Sequence, residues 1–395
     1  MTGRTLRTLG AACTVALLAS ACAAKNDGAA ADGEIVIGAD IELSGSAAQG
    51  IGEAHNNSLK MVVEQINGRG VKVDGKKYTV KLEIRDNKSD PAESLNVYKS
   101  FVQDKAVAVV GGGTTPTTMS FVNSAEQDGM PTISMGSSGA IVMNTEARAM
   151  RKYVFKTPAN PDVIFGRMVD EFKRLSITKI GFLHVDNAYG NSGAKAATDR
   201  ATATGDVELV DVEKFSDKDK EYTTQITKLM AKQPQAIVVW AIQPMSGIAA
   251  KNIKDTGFTG KVFFDSGAGA ELFIKGAGAA AEGMYMVHPA VLAGSQLVAT
   301  SPSSISQKQF FQQYSAKYGN YSGFASYSAD ALRMFVAAIE KANSLDRQKI
   351  RDALENLQYD GVTGRYEYSK DNHGGVGSDS ITTLVVRNGT WELAH

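Results

Sequence analysis

The chain has 395 residues, which is enough for two domains of ordinary size. Lys and Arg together number 42, as do Asp and Glu, so the formal net charge is zero. Without a basic excess, no electrostatic field is expected to hold nucleic acid or an anionic membrane surface. A hydrophobic fraction of 43% with 8% aromatic residues is typical of a globular protein and excludes a disordered chain.

Cysteine and histidine are too sparse to suggest a metal centre. The two cysteines, Cys13 and Cys22, lie near the N-terminus, so neither a disulfide nor a Cys-based metal site is expected after residue 22. The five histidines show no HExxH motif and no other paired spacing. We therefore predict no metal and no cofactor.

The first 22 residues have the pattern of a bacterial export signal. Arg4 and Arg7 precede an apolar stretch that is shorter than the ~20 residues needed to span a bilayer. The run LASAC (18–22) resembles a lipobox, which implies cleavage before Cys22 and lipidation of its thiol. The acyl chains of a diacylglyceryl cysteine would anchor the protein stably to the membrane. The alternative is a plain secretory signal with an incidental cysteine, and in either case residues 23–33 predict a flexible tether.

Strands and helices alternate from residue 34 onward. The first strand, EIVIGADIEL, precedes a helix over 56–67 whose apolar residues recur on one face. A strictly alternating strand over 78–86 and a helix opened by Asp90-Pro91 follow. The run AVAVVGG (106–112) is continuously apolar, as in a strand buried on both faces. A helix near 117–129 and the strand MPTISM end this series.

The same alternation restarts near residue 153. Strands are predicted at 153–157, 179–186, 207–215, 236–241 and 261–265, and helices are predicted from Pro161 and near 191–204, 219–232 and 244–256. Strands alternating with helices of this length form βαβ units with parallel sheets. We therefore predict an α/β fold of two doubly wound parallel-sheet lobes.

The C-terminal part departs from this alternation. Three successive helices are predicted over 303–318, 324–343 and 346–357. Strands follow over 364–369 and 380–393, and the second is folded on an Asn388-Gly389 hairpin turn. A segment of this different character is expected to pack back onto both lobes.

Motifs for phosphate binding and for nucleophilic hydrolysis are missing from the sequence. No GxxxxGK[ST] loop is present, GGGTTP lacks the GxGxxG spacing, and GAGAEL (267–272) lacks the third glycine. GSSGA (136–140) and GNSGA (190–194) both lack the second glycine of a G-x-S-x-G elbow. The acidic residues allow many carboxylate pairs, and the sequence does not select one. We predict a protein that binds its ligand and is not an enzyme.

Small polar residues gather where the predicted strands end. These segments are 40–50, 111–115, 135–138, 186–189, 240–243 and 265–267. In open α/β sheets, ligands bind in the crevice outside the carboxyl ends of the strands. Small residues let backbone N–H groups approach a ligand, and a helix N-terminus behind such a loop favours a carboxylate. A small polar ligand is therefore expected at these strand ends.

Several of these stretches together resemble the branched-chain amino-acid type of periplasmic binding protein, the leucine/isoleucine/valine-binding proteins of ABC importers. In order, they are EIVIGADIELSGSAAQG, AVAVVGGGTT, MPTISMGSS, KIGFLHVDNAYGNSG, AIVVWAIQP and DGVTGRYEYSKD. The resemblance covers nearly the whole chain after residue 33. It implies a type I fold of two lobes joined by three crossover segments, near 151–157, 284–290 and 355–364.

The resemblance also implies boundaries and a mode of action. After the signal peptide (1–22) and the tether (23–33), lobe one takes 34–152 and 288–355, and lobe two takes 153–287 and 356–395. The family resemblance predicts a monomer that captures an amino acid or similar small polar ligand by hinge closure. It would deliver the ligand to ABC permease subunits and contact the membrane only through its lipid anchor. The alternative is a receptor subunit that senses amides or small acids without transport.

The family's ligand-binding positions can be carried over residue by residue. In lobe one they match Ser44, Gly50, Gly113, Thr114, Thr115, Gly136, Ser137 and Ser138, and in lobe two they match Tyr189, Trp240, Gln243 and Asp265. The loop 113–115 would hold the ligand's carboxylate and amine, and Tyr189 would close over the ligand. The acid that pairs with the ligand's ammonium in leucine/isoleucine/valine-binding proteins has no direct match. Either Asp265 or Asp186 replaces it, or the ligand lacks an ammonium.

Structural roles compete with these assignments. Trp240 ends an apolar strand and is equally expected as a core residue, and His184 within a strand is expected as a core histidine. Thr114, Thr115 and Ser138 are residue types common in turns and at helix N-caps.

Overall fold

The computed structural model describes residues 31–395, and the predicted signal peptide with Cys22 lies outside them. The first series of strands consists of β1 (Gly33–Ile41), β2 (Val71–Val73), β3 (Lys76–Asp86), β4 (Ala108–Gly111), β5 (Thr132–Ser134), β6 (Met143–Asn144), β7 (Ala149–Met150) and β8 (Val154–Lys156). Helices α1 (Glu53–Arg69), α2 (Pro91–Gln103) and α3 (Thr115–Asp128) connect them. Six of these strands form one sheet in the order β2-β3-β1-β4-β5-β8, and β6 pairs with β7 separately.

Local sequence signals in this half act as predicted. Asp90 caps α2, because its Oδ1 accepts a hydrogen bond from the Glu93 N–H at 2.9 Å and Pro91 occupies the first turn. Strand β4 is buried on both faces and pairs in parallel with β1 and β5. Its carboxyl end therefore opens directly into the loop at 112–114, from which α3 begins.

The second series runs from residue 161 to residue 289. Its helices are α4 (Pro161–Arg174), α5 (Ala188–Thr204), α6 (Thr223–Ala231), α7 (Met245–Asp255) and α8 (Glu271–Ala277). Its strands are β9 (Lys179–Val185), β10 (Glu208–Phe215), β11 (Ala236–Trp240), β12 (Lys261–Phe264) and β13 (Tyr285–Pro289). His184 is buried in β9 with its Nδ1 3.0 Å from the Val185 carbonyl, so it is a core histidine as expected.

The C-terminal part contains three helices and two hairpins. They are α9 (Pro302–Tyr318), α10 (Phe324–Ala342), α11 (Arg347–Glu355), β14 (Gln358–Asp360), β15 (Arg365–Glu367), β16 (Ile381–Arg387) and β17 (Thr390–Leu393). Strands β16 and β17 complete a second sheet in the order β10-β9-β11-β12-β13-β16-β17. Between them Asn388 and Gly389 have φ of 51° and 72°, as the predicted hairpin turn requires. The segment packs on both lobes, since α10 packs against α1 of lobe one and β16 pairs with β13 of lobe two.

The two-lobed α/β fold with three crossovers is confirmed. The first and third crossovers lie later in the chain than the sequence predicted. The chain leaves the first sheet after β8, in residues 157–160, whereas the sequence placed this crossing at 151–157. The second crossover follows β13, where the chain leaves the second sheet. The third crossover lies in residues 368–380, after which the chain returns to the second sheet at β16, whereas the sequence placed it at 355–364.

Sheet pairing accordingly shifts the proposed lobe boundaries. Ile133 of β5 pairs in parallel with Phe155 of β8, so residues 153–156 belong to the first sheet and not to lobe two. Strand β13 stays in the second sheet up to Pro289. The β14–β15 hairpin joins lobe one, because the Tyr366 hydroxyl donates a hydrogen bond to Asp330 of α10 at 3.1 Å. A short apolar strand carries no local mark of which sheet it will pair with, so the sequence did not reveal these memberships. Within residues 31–395, no helix combines the length and apolarity that a bilayer crossing demands.

Candidate ligand-binding site

A cavity of about 430 Å³ lies between the lobes at the carboxyl ends of the strands of both sheets. In lobe one its walls come from the segments after β1, β3, β4, β5 and β8 and from the start of α10. In lobe two they come from the loops after β9, β10, β11 and β12. Seven predicted site residues line it: Gly113, Thr114, Thr115, Gly136, Ser137, Tyr189 and Gln243. The size is that of a site for a small molecule. Contact of these residues with a ligand stays a prediction.

The lobe-one wall is built from two adjacent loops that are tied together. Thr114 caps α3 in a capping box with Thr117, and the Thr115 Oγ1 accepts a hydrogen bond from the Ser138 N–H at 3.3 Å. The Gly136 N–H donates to the Ser134 Oγ at 2.9 Å. The Ser137 Oγ is buried and has no hydrogen-bond partner in residues 31–395. This hydroxyl is therefore available to a ligand.

Buried acidic groups support the 112–115 loop from behind. Glu42 Oε1 accepts hydrogen bonds from the Thr114 N–H at 3.1 Å and the Thr117 hydroxyl at 2.8 Å. A Cβ added to Gly113 would lie 2.1 Å from Glu42 Oε2, so glycine is the residue that fits between the carboxyl group and the cavity. Burial raises the pKa of Glu42, and it raises that of the neighbouring Asp40 to about 8.

This support was not predicted from the sequence. The available signal was the pair of acids at the apolar end of β1, with Asp40 inside the strand and Glu42 directly after it. Acids in such a run are rarely buried without a partner. Their position therefore marks a polar network beneath the strand end.

Tyr189 forms the facing wall in lobe two. It lies in the first turn of α5, which Asn187 caps by accepting hydrogen bonds from the Tyr189 and Gly190 N–H groups at 2.9 and 3.1 Å. The Tyr189 hydroxyl donates to Asp265, which also accepts from the N–H groups of Gly267 at 3.1 Å and Ala241 at 3.3 Å. Burial raises the pKa of Asp265 to about 7 and raises the pKa of Tyr189.

The structure does not bring the other five predicted residues to the cavity wall. Ser44 is exposed, and its hydroxyl donates to Asp86 Oδ2 at 2.7 Å. Gly50 lines a separate pocket next to α8. The Ser138 Oγ accepts from the Ala140 N–H at 3.3 Å, which is the N-cap role weighed for it.

Trp240 and Asp265 lie one layer behind the wall. Trp240 is fully buried, its ring centroid 6.2 Å from that of Tyr189 and 6.0 Å from that of Phe182, so it is a core residue. Asp265 is covered by Tyr189. The alternative acid, Asp186, also does not line the cavity and instead pairs with Lys214 at 2.8 Å.

Further lining residues had no motif to mark them. The loop after β11 and the start of α7 contribute an apolar surface of Ile242, Pro244, Met245 and Ile248. The start of α10 contributes Phe324 and Tyr327, and the segment after β10 contributes Asp217, Asp219 and Lys220. Phe324 and Tyr327 reach the cavity because α10 returns to it from the C-terminal part of the chain, which no local pattern records. Within residues 31–395 no cluster of three His, Cys, Asp or Glu side chains is arranged to hold a metal ion.

A family model described as periplasmic binding protein matches residues 34–389. The chain belongs to the periplasmic binding protein family. An amino acid binding protein of Pseudomonas aeruginosa is 23% identical over 341 residues, covering 85% of this chain and 86% of that protein. A leucine-, isoleucine-, valine-, threonine- and alanine-binding protein of the same species is 25% identical, and the match covers 83% of this chain and 84% of that protein.

Solved structures of this family share the fold. An extracellular ligand-binding receptor from Rhodopseudomonas palustris HaA2 superposes with a TM-score of 0.82 at 24% identity, covering 92% of this chain and 100% of that one. A branched-chain amino acid transporter substrate binding protein from Streptococcus pneumoniae was solved in complex with isoleucine. It superposes with a TM-score of 0.77 at 26% identity, covering 91% of this chain and 98% of that one. The resemblance to the branched-chain amino-acid type and the type I fold are thereby confirmed, and the family implies an extracytoplasmic location.

Proposed function

We propose that this chain is a lipid-anchored solute-binding protein that captures an amino acid or similar small polar ligand and delivers it to an ABC importer. The observation that carries the proposal is the cavity, because both lobes line it and, within residues 31–395, three crossovers connect them. Relatives named for amino-acid binding support the ligand class.

Hinge closure would act through the two walls described above. The ligand first contacts the loops at 113–115 and 136–137 of lobe one, which the Glu42 network holds in place. Rotation about the crossovers then brings Tyr189 and the 242–248 surface over it. The closed form differs in shape from the open form, so a membrane partner can distinguish them.

Identifying the ligand is the most direct test. Mass spectrometry of small molecules released from the purified protein would name candidates, and a thermal-shift panel of amino acids, amides and small carboxylic acids would rank them. A ligand at 100 times its Kd should stabilise the folded protein by ~2.7 kcal/mol. If no compound of these classes raises the melting temperature, the proposed ligand class is wrong.

Two hydroxyl deletions test the lobe-one wall. Ser137→Ala and Thr115→Ala should each weaken ligand binding by ~0.5–1.5 kcal/mol, since each removes the hydroxyl of a residue that lines the cavity. Isothermal titration calorimetry measures the change. Ser44→Ala serves as the control, because Ser44 is exposed and bonds to Asp86 away from the cavity. Unchanged affinity in both wall variants would place the ligand elsewhere.

The lipid anchor is a proposal from the LASAC run alone. Replacing Cys22 by alanine should move the protein from the membrane fraction to the soluble extracytoplasmic fraction, because the acylated thiol is lost. Metabolic labelling with radioactive palmitate measures the modification directly. Equal palmitate incorporation by wild type and Cys22→Ala would contradict lipidation at this residue.

A receptor without transport is the second candidate, favoured by neighbours described as extracellular ligand-binding receptors. Both candidates use the same cavity, so binding data do not separate them. Uptake of the labelled ligand by cells with and without this protein does. Loss of uptake on deletion supports transport, and unchanged uptake together with a lost transcriptional or behavioural response supports sensing.

A further inference from the structure

Five long helices begin at the cavity wall. Each has a first-turn residue among the lining residues: Pro91 of α2, Thr115 of α3, Tyr189 of α5, Met245 of α7 and Phe324 of α10. A helix N-terminus carries a partial positive charge, and its first N–H groups have no acceptor within the helix. Asp90 and Glu93 offset this charge at the start of α2, whereas the first turns of α3, α5, α7 and α10 hold no acidic residue. The convergence of these four helix starts makes the cavity favourable for an anion.

The lobe-one end of the cavity offers donors to such an anion. The Ser137 hydroxyl is buried without a partner in the described chain, and it lies beside the first turn of α3 across the contact between Thr115 and Ser138. Hydroxyl and backbone N–H donors around one helix N-terminus are suited to a carboxylate.

In the buried part of the cavity, other residues cover the carboxylates that could pair with an ammonium. Asp265 lies behind Tyr189 and already accepts three hydrogen bonds, from the Tyr189 hydroxyl and the Gly267 and Ala241 N–H groups. Glu42 lies behind Gly113 and is bonded to Thr114 and Thr117. An ammonium buried in the cavity would therefore meet neutral groups, which leaves its charge without a partner.

The charged lining residues of the described chain come from one short segment. Asp217, Asp219 and Lys220 follow β10, and Asp217 and Lys220 are exposed to solvent. Asp219 is half-buried, and its Oδ2 accepts a hydrogen bond from the Ser216 N–H at 2.9 Å. A lysine accompanies the two acids, so this rim does not supply a concentrated negative field.

Apolar side chains form much of the remaining wall, beside uncharged polar residues such as Asn187, Gln243 and Tyr327. Ile51 and Met135 face the cavity from lobe one, and Ile242, Met245 and Ile248 face it from lobe two. Apolar walls favour an uncharged body of similar character.

We propose that the ligand is a small carboxylate with an apolar, uncharged body and no ammonium group. The inference rests on the proposed function, since it concerns the occupant of the same cavity. It narrows the ligand from amino acids and similar polar molecules to organic acids.

Matched pairs of compounds test the absence of the ammonium. Each proteinogenic amino acid is compared with the acid of the same skeleton that has hydrogen in place of the ammonium, for example leucine with 4-methylpentanoate and phenylalanine with 3-phenylpropanoate. Thermal shift finds the binding pairs, and calorimetry on the full-length protein measures both members. The acid should bind at least roughly tenfold more tightly than its amino acid, because no buried charge is left unpaired.

The outcomes separate this inference from the proposed function. An amino acid that binds as tightly as its matched acid, or more tightly, overturns the inference and leaves solute binding intact. If neither member of any pair binds, the proposed ligand class fails as well. The neutral amide of the best acid should bind roughly tenfold more weakly, and equal binding would show that the cavity does not select an anion.

Rim variants test the remaining route for an ammonium. Asp219→Asn should raise the affinity for the matched acid slightly, because it removes a negative charge from the rim. Glu221→Gln is the control, since Glu221 is exposed in the same segment and does not line the cavity. A roughly tenfold loss of amino-acid binding in Asp219→Asn alone would show that an ammonium pairs at the rim and would overturn the inference.

Discussion

At the residue scale, the buried carboxyl groups around the cavity make stability depend on pH. Asp40 accepts a hydrogen bond from the Ser94 hydroxyl and lies next to Glu42. Burial, and then repulsion from Glu42, raise the pKa of Asp40 to about 8. The folded protein therefore binds this proton more tightly than the unfolded chain does, and the stabilisation is complete below about pH 4 and lost as the pH rises through about 8.

Replacing Asp40 by asparagine should remove this dependence. We expect the unfolding free energy of the wild type, relative to Asp40→Asn, to fall as the pH rises from about 4 to about 8. Comparing the two proteins isolates Asp40 from the buried histidines, His55 and His288, whose pKa values burial lowers to about 3 and about 4. Urea unfolding at a series of pH values measures the difference. A difference that grows with pH would contradict a raised pKa for Asp40.

At the element scale, Gly193 allows α5 to approach β11 closely. A Cβ added to Gly193 would lie 2.3 Å from the Trp240 ring, so the helix approaches β11 through this residue. Tyr189 lies one turn earlier on the same helix and lines the cavity. The packing of α5 against the second sheet therefore also sets the position of a cavity wall.

Gly193→Ala should displace α5 and destabilise the fold by ~1–3 kcal/mol through overpacking. Ligand affinity should fall in the same variant, because Tyr189 moves with the helix. Gly166→Ala within α4 is the matched control, since nothing lies within 4 Å of its added Cβ and alanine favours a helix by ~0.5–1 kcal/mol. Denaturant unfolding and calorimetry give the two readouts. Equal stability of the two variants would refute the close approach.

At the scale of the whole molecule, the three crossovers make the lobes interdependent. Neither lobe is one continuous stretch of chain, and one buried apolar cluster includes residues of both, among them Ile37 and Phe182. A protein built in this way is expected to unfold as one unit, and the proposed hinge closure would be a motion within the native state.

The two tryptophans provide a test of this cooperativity. Trp240 in β11 and Trp391 in β17 both belong to the second sheet, whereas far-UV circular dichroism reports the helices of both lobes. We expect the fluorescence and dichroism transitions to coincide on heating, and a bound ligand to raise both together. A fluorescence transition separated from the dichroism transition would show that lobe two unfolds independently.

The sequence by itself determined the local structure and the class of fold. Strand and helix periodicity, the Asp90 cap and the Asn388-Gly389 turn act through neighbours in the chain, so they could be read without the fold. The strand-end loops at 113–115 and 136–137 followed from the rule that parallel strands present their carboxyl ends to a ligand.

Tertiary structure alone decided the sheet to which β8 belongs and the residues that face the cavity. Trp240 and Asp265 lie at strand ends, as the wall residues do, yet Tyr189 covers both. This is because α5, which carries Tyr189, packs over β11 through Gly193. Phe324 and Tyr327 reach the cavity from a helix that begins more than two hundred residues after the first wall loop. Such placements depend on long-range pairing and on packing between distant segments, which local residue patterns do not encode.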